Sequence, residues 1–557
     1  MDVNIRIAGE AGQGVQTTGG LLVDALASVG VYVFSTQSYM SRVRGGLNSY
    51  DVRIADRELH SGAVRADLLV ALTPEALEAF RPQVAGDGVI LFDGEAGGDG
   101  VLALGFSSTA REISGSELLA NTVAAGAVFA LLGYDLDALC SMLEDRFHKK
   151  GEDLVRQNIE CARRGAELAA GAGVSLVAPA LAGAPATVAS GTEATGLAAA
   201  TSGVGLVASY PMTPSTGVFT FLAGVADEYG ILVEQAEDEI AAINMVCGAT
   251  YAGVPAMTTT SGGGFALMAE GLSLAGMLEL PAVIMLSQRP GPATGLPTRT
   301  GQEDLKFAVS AGHGEFPRAV FAPGSPEQCF ELTRLAFETA HRWQTPVILM
   351  LDQFLADLQK NVPPMETDRR PIDRRVVTGS GADYARYAPA DDGVSPRAVP
   401  GGDAIVVVDS DEHTEDGHIT EDLDARVRLT DKRLRKADGL RSEVLPPEPY
   451  GEPGAGHVLV CWGSTRGPCR EAVDILSAGG ESVSMLHFPQ TWPIDAEAVR
   501  SGLSSAEKIT SVEGNARGQF ASLLREAGAL GQMECGLVTR YDGLPFTGEY
   551  IAGRIRG

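Results

Sequence analysis

Apolar runs of strand length alternate with longer, helix-length stretches through most of the chain. "VNIRIAG" reads as a strand and "GVQTTGGLLVDALASVG" as the helix after it. "VYVFSTQSY", "SYDVRIAD" and "ADLLVAL" read as further strands, "TPEALEAFRPQV" as a helix and "GVILFDG" as a fifth strand. That alternation predicts a parallel sheet covered on both faces. Residues 167–195 are rich in Ala, Gly and Pro and read as an interdomain linker. A second alternating region follows, with strands in "VGLVASYP", "PAMTTTS", "LPAVIMLSQ" and "TPVILMLDQ". Its segment "SPEQCFELTRLAFETAHRW" has a Ser N-cap followed by Pro, the signature of a helix start.

The pattern turns polar at about residue 361. Residues 409–424 hold eight acidic and no basic residues, and 426–436 then hold six basic ones. This reads either as a solvated hairpin or arm whose halves pair electrostatically, or as a contact surface for a partner subunit. The last region again alternates: the strand "HVLVCWG", the helix "RGPCREAVDILSAGG", and the strands "ESVSMLHF" and "KITSVEG". The prediction is a multidomain α/β protein. Its parts are an α/β domain at 1–170, a linker at 171–190, a second α/β domain at 191–360, a connecting arm at 361–450 and a small α/β domain at 451–557.

Composition narrows the function classes. At 557 residues the chain is too long for one core, and 45% hydrophobic with 20% charged residues is globular. Lys+Arg 43 against Asp+Glu 71 gives −28, which argues against nucleic acid and anionic lipid as partners. No apolar run reaches the roughly 18 residues of a membrane span. The opening "MDVNIRIAGEAGQG" lacks a signal-peptide pattern. The seven cysteines are scattered, with no Cys-x-x-Cys. They read as reduced thiols of a cytoplasmic protein that holds no iron–sulfur cluster of its own.

Four loops carry candidate chemistry. "GEAGQGV" at 9–15 is either an anion-binding turn at a helix N-terminus or a tight packing turn. "YPMTPST" stiffens a strand end with Pro211 and Pro214 and follows Thr213 with two more hydroxyls. "TTTSGGGF" places Ser261, Gly262 and Gly263 where a ligand can approach closely. "SQRPGPATGLPTRTGQEDL" carries Arg289, Thr294 and Arg299. An arginine with hydroxyls is a natural receptor for a carboxylate, and ligands of open α/β sheets bind at the carboxyl ends of strands. Glu239, in "EQAEDEIAAINMVCGATYAG", reads on its own as a solvated first-turn glutamate favoured by the helix dipole.

Together "YPMTPST", "EDEIAAINMVCGATYAG", "TTTSGGGF" and "QRPGPATGLPT" resemble the α subunit of the 2-oxoacid:ferredoxin oxidoreductases, which are thiamine diphosphate enzymes. "GEAGQGV" and "SRVRGGLNSYDVRI" resemble that family's γ domain, here fused at the N-terminus. "GHITEDLDARVRLTDKRLRK", "VEGNARGQFASLLR" and "YDGLPFTGEYI" resemble the rest of the α chain. The resemblance implies a pyrimidine-binding thiamine domain, a transketolase-C-like C-terminal domain, and CoA-dependent oxidative decarboxylation of a 2-oxoacid with electrons passed to ferredoxin. It implies Glu239 as the carboxylate facing the aminopyrimidine ring, and Ser261, Gly262 and Gly263 against the cofactor. Thr213, Arg289 and Thr294 would form the receptor for the substrate carboxylate. It places Mg²⁺, the diphosphate site and a [4Fe–4S] cluster on a β subunit, in an (αβ)₂ assembly. The fused layout resembles the 2-oxoglutarate enzymes, and Arg299 or His313 would meet a second carboxylate; pyruvate and branched-chain 2-oxoacids are the alternatives. The rival classes are a stand-alone thiamine enzyme and a non-catalytic CoA- or nucleotide-binding module.

Overall fold

The computed structural model describes residues 1–40, 46–96, 98–381 and 383–557. The "SRVRG" of the γ-like motif, residues 41–45, lies outside them. The chain forms two compact units, Met1–Ser190 with Asp357–Pro364, and Gly191–Ala356 with Met365–Gly557.

The first unit holds an eight-stranded sheet. Asp2–Glu10 lies at its middle, parallel to Ala66–Ala71 and antiparallel to Leu47–Ala55. Val84–Phe92 and Val101–Ala103 extend the parallel side. Tyr32–Ser38 pairs antiparallel with Leu47–Ala55, so the sheet is mixed, not parallel throughout as the pattern predicts. The reason is local. Only eight residues, 39–46, separate those two strands, and a parallel return needs a crossover of a dozen or more. On the other side Gln359–Asn361 runs antiparallel to both Tyr32–Ser38 and Val188–Ser190, the last of which is the edge strand. The chain thus returns to the first unit across the boundary predicted at 360. Asn361 fixes the return: its Oδ1 accepts from Val33 N–H (2.5 Å) and its Nδ2 donates to Pro185 O (2.6 Å).

The turn "GEAGQGV" opens the helix Val15–Ser28, with Gly12 and Gly14 at φ 94° and 79°. A Cβ on Gly14 would fall 2.0 Å from the Asn121 amide, so packing fills the space beside it. The helices Ala120–Leu132 and Glu152–Gly171 cross at glycines: a Cβ on Gly126 or Gly165 would lie 2.0 or 1.9 Å from a facing carbonyl oxygen.

The second unit contains two sheets. The larger runs in spatial order Gln490–Trp492, Ala319–Phe321, Val347–Asp352, Val283–Gln288, Ala256–Thr260, Leu206–Ser209 and Leu232–Gln235. All pairs are parallel except the first, which is supplied by the C-terminal part of the chain. The smaller sheet, centred on His457–Trp462, is parallel apart from Glu448–Gly451. Helix Pro326–Trp343 starts as predicted, with Ser325 Oγ accepting from Gln328 N–H. One apolar core joins the sheets through Phe265, Ile284, Val320, Trp462 and Phe520.

Between the sheets' sequences lies the polar arm. Its halves do pair, Glu412 with Arg426 and Arg433, and Glu415 with Arg428. The helix Leu423–Ser442 is not solvated all round, however. Lys432 and Lys436 are buried and hold the buried Glu279 carboxylate, which their ammonium charges keep ionised well below the usual range. A buried charge survives only where such partners neutralise it.

Candidate active site

Three neighbouring strands of the larger sheet, Leu206–Ser209, Ala256–Thr260 and Val283–Gln288, end in the three loops singled out above. Ser209 ties two of them: its Oγ accepts from Thr259 N–H (2.9 Å) and from Thr259 Oγ1 (3.1 Å). The proline turn is closed by Ser215, whose Oγ donates to Met212 O at 2.7 Å. One of its hydroxyls therefore serves the turn itself. Arg289, from the third loop, donates through Nη1 to Thr213 O at 2.7 Å. Burial lowers the Arg289 pKa and the nearby Asp304 charge opposes that shift.

Glu239 opens the helix Glu239–Tyr251 behind Asp238, whose side chain caps Ala241 N–H at 2.7 Å. The cap leaves Glu239 free of capping duty. It is not the solvated glutamate its position suggests: it is 3% exposed, and its Oε1 is buried with no hydrogen-bond partner among the described residues. It lies against the glycine turn. A Cβ on Gly264 would sit 2.5 Å from Glu239 Oε1 and 2.2 Å from Thr260 Oγ1, so only glycine fits there. Ser261 Oγ, on the same turn, is also buried and unpartnered. Gly263 faces the arginine loop, with Ala293 O 3.9 Å from the position of an added Cβ.

The fold brings together Glu239, Ser261, Gly262, Gly263, Thr213 and Arg289. It leaves Thr294 exposed on its loop, and it turns Arg299 beside Gly543 of "YDGLPFTGEYI". His313 lines a different cavity, with Ser273, Phe316 and Glu412, and its backbone N–H donates to Ser273 Oγ. Sequence reasoning missed Asp304. A Cβ on Gly262 would lie 2.5 Å from its Oδ2, which is likewise buried without a partner. In "GQEDLKF" it looks like an ordinary helix cap, which hides it. Burial raises its carboxyl to about 6, with Glu303 adding and Arg289 opposing.

A buried carboxylate oxygen without a donor is costly unless a ligand supplies one. At a side-chain-free turn on the carboxyl edge of a parallel sheet, the missing donor fits a flat nitrogen heterocycle. Residues 197–432 match the family described as pyruvate flavodoxin/ferredoxin oxidoreductase, thiamine diphosphate-binding, and residues 4–168 match pyruvate ferredoxin/flavodoxin oxidoreductase. The α subunit of a 2-oxoacid:ferredoxin oxidoreductase from Sulfolobus is 30% identical, over 97% of this chain and 94% of its own. The chain belongs to the 2-oxoacid:ferredoxin oxidoreductase α-subunit family.

Two further relatives bear on detail. The 2-oxoglutarate oxidoreductase subunit KorA of Mycobacterium tuberculosis is 29% identical, covering 100% of this chain and 91% of its own. The solved 2-oxoglutarate:ferredoxin oxidoreductase from Magnetococcus marinus, with 2-oxoglutarate, coenzyme A and succinyl-CoA bound, is 32% identical. It superposes with a TM-score of 0.92, over 100% of this chain and 99% of that one. As a member of this family the chain is an oxidoreductase subunit with a thiamine diphosphate-binding domain, and its relatives are named as α subunits. Among the described residues no helix is long and apolar enough to cross a membrane.

Proposed function

We propose that this chain is the α subunit, with fused γ domain, of an enzyme that oxidatively decarboxylates 2-oxoglutarate with CoA and reduces ferredoxin. The observation that carries the reading is the unpartnered Glu239 Oε1 held against the glycine turn. The residues present fit thiamine diphosphate there. Glu239 would accept a hydrogen bond from the aminopyrimidine ring, and Ser261, Gly262 and Gly263 would let the ring approach the backbone. When bound, thiamine diphosphate supplies the carbanion equivalent that attacks the 2-oxo carbon.

This chain's residues do the orienting. Glu239 would fix a proton position from a buried carboxylate, which is worth more than one in bulk solvent. Arg289 is already fixed by Thr213 O, and its remaining N–H groups are proposed to receive the 1-carboxylate. A guanidinium held before substrate arrives costs less ordering on binding. Arg299 is proposed to read the distal carboxylate of 2-oxoglutarate and Thr294 to add a hydroxyl, each after the exposed loop folds over substrate. Support for 2-oxoglutarate comes from the full-length likeness to the Magnetococcus enzyme and to KorA.

The elements around this site carry exposed apolar side chains at Tyr210, Ile240, Met245 and Leu267. Those side chains suit a partner subunit, proposed to be the β subunit that holds Mg²⁺, the diphosphate and a [4Fe–4S] cluster in an (αβ)₂ complex. The test is turnover by the reconstituted complex on 2-oxoglutarate, pyruvate and 2-oxoisovalerate, with CoA and ferredoxin or a viologen dye. The expected result is the highest kcat/KM on 2-oxoglutarate. Absence of 2-oxoacid-dependent reduction by a cluster-loaded complex sinks the reading.

A further inference from the structure

The loop that carries Arg289 and Arg299 closes on itself. Gly301 forms its neck: a Cβ there would lie 3.2 Å from Pro290 N and 3.5 Å from Arg289 C. Leu296 N–H donates to Pro290 O and Arg299 N–H to Leu296 O, each at 3.1 Å, and Gly291 N–H donates to Glu303 Oε2 at 2.8 Å. Its apex, Gly291–Leu296, is exposed. Its foot is buried and anchored. Gln302 donates from N to Gly514 O (2.7 Å) and from Nε2 to Trp462 O (2.9 Å), and its Oε1 accepts from Gly514 N–H (2.8 Å).

A second loop, the "RYDGLPF" of residues 540–546, rests on that foot. Gly543 O accepts from Thr300 N–H at 3.2 Å. Gly543 itself stands at φ 84°, and a Cβ on it would lie 2.9 Å from Arg299 Cβ, 3.2 Å from Arg299 Cγ and 3.3 Å from Leu296 Cδ1. The backbone of the second loop therefore lies directly on the aliphatic stem of Arg299, at a position that only glycine fits. The turn that presents Gly543 is braced from within. Arg540 Nε and Leu544 N–H both donate to Asp542 Oδ1, at 3.0 and 2.9 Å, and Arg540 Nη1 donates to Pro545 O at 2.7 Å. The Arg540 guanidinium lies 4.7 Å from the centre of the Tyr550 ring. Between Thr300, Gln302 and Phe354 on one side and Arg540 and Leu544 on the other, the remaining gap is about 10 Å³, room for no more than one water.

We propose that Gly543 is a positioning residue for substrate choice: it seats the stem of Arg299, so that the guanidinium meets the far carboxylate of a 2-oxo dicarboxylate. The inference rests on reading Arg299 as the receptor of that carboxylate. A long side chain whose first carbons are held has fewer rotamers to give up on binding. A methyl at Gly543 takes the space of those carbons and turns the stem aside. A monocarboxylate makes no contact with Arg299 and does not register the change.

The test compares kcat/KM for 2-oxoglutarate and pyruvate in the complex with the β subunit. Gly543→Ala should lower the 2-oxoglutarate-to-pyruvate ratio about tenfold, the scale of one weakened charge-assisted contact. Gly528→Ala is the control for backbone strain, because Gly528 also has a positive φ, 70°, but open space where the methyl would go; its ratio should match wild type. Arg299→Ala and the double variant Arg299→Ala/Gly543→Ala should show the same ratio, because Gly543 acts only through Arg299. Amide exchange of Thr300 in the full-length wild-type chain reads the contact without turnover or substitution, and it should be slower than at the exposed apex. Four results overturn the proposal: a wild-type ratio in Gly543→Ala beside a lowered one in Arg299→Ala, an equal fall in Gly528→Ala, a double variant in which the two single effects multiply, or a Thr300 amide that exchanges as fast as the apex. An unchanged ratio in Arg299→Ala defeats the reading of Arg299, and the role of Gly543 falls with it.

Discussion

Glu239→Gln separates a catalytic carboxylate from a structural one, because the two predict opposite pairings of stability and activity. The substitution keeps volume and shape. In the ligand-free chain Glu239 Oε1 is buried and accepts no hydrogen bond from the described residues. Leaving a buried acceptor unsatisfied costs about 1–3 kcal/mol, more for a charged one. Replacing the carboxylate with an amide removes the charged part of that cost, so the isolated chain should melt at the same temperature or higher. Activity moves the other way. Loss of a positioned proton-transfer group lowers turnover by about 10²–10⁴-fold, which is about 3–5 kcal/mol of barrier. The assays are thermal melting of the chain without cofactor, and viologen-dye reduction by the complex with its β subunit at saturating CoA. Near-normal turnover would refute the reasoning. So would a loss of turnover accompanied by a several-degree drop in melting temperature, because the residue would then be holding the fold.

Three other predictions test neighbouring parts of the site. Arg289→Ala should lower kcat/KM for every 2-oxoacid by roughly 30-fold to several thousand-fold, the cost of about 2–5 kcal/mol for a lost buried charge partner; Arg299→Ala should hurt 2-oxoglutarate and spare pyruvate, and the reverse pattern would exchange the two assignments. Gly264→Ala forces a methyl to within 2.5 Å of both Thr260 Oγ1 and Glu239 Oε1, so it should cost about 1–3 kcal/mol of stability and most of the turnover, read by melting and dye reduction. Asp352 is fully buried, and burial raises its carboxyl to about 6 even though Ser464 Oγ and Leu355 N–H donate to it. A folded-state pKa above the ordinary value means that its stabilisation is present below about pH 4 and lost as pH rises through 6. The stability of wild type relative to Asp352→Asn should therefore fall by up to about 3 kcal/mol between pH 4 and pH 7 and stay flat above; a pH-independent difference refutes the assignment.

Local signals carried the elements and the family. The Ser325–Pro326 start, the continuous apolar runs "PAVIML" and "PVILML", and the proline and glycine turns depend on near neighbours, and they mark helices, strands and strand ends wherever the chain goes. Three loop motifs and the helical segment "EDEIAAINMVCGATYAG" likewise carry the resemblance to the α-subunit family. Three things were decided only by the tertiary structure. The first sheet gained a strand from a distant part of the chain, because Gln359–Asn361 returns to it from more than 300 residues beyond its neighbour Tyr32–Ser38. No local pattern encodes where in a sheet a three-residue strand will insert. Lys432 and Lys436 turned inward because Glu279, far away in sequence, waits there to neutralise them. Glu239 and Asp304 look like a solvated glutamate and a helix cap when read one at a time. They become two carboxylates against one glycine turn, each with a buried oxygen that has no partner among the described residues, only when three strand ends and the C-terminal part of the chain meet. Burial of a charge is a property of everything packed around it, so a sequence window that sees the residue but not its distant neighbours gives the solvated answer.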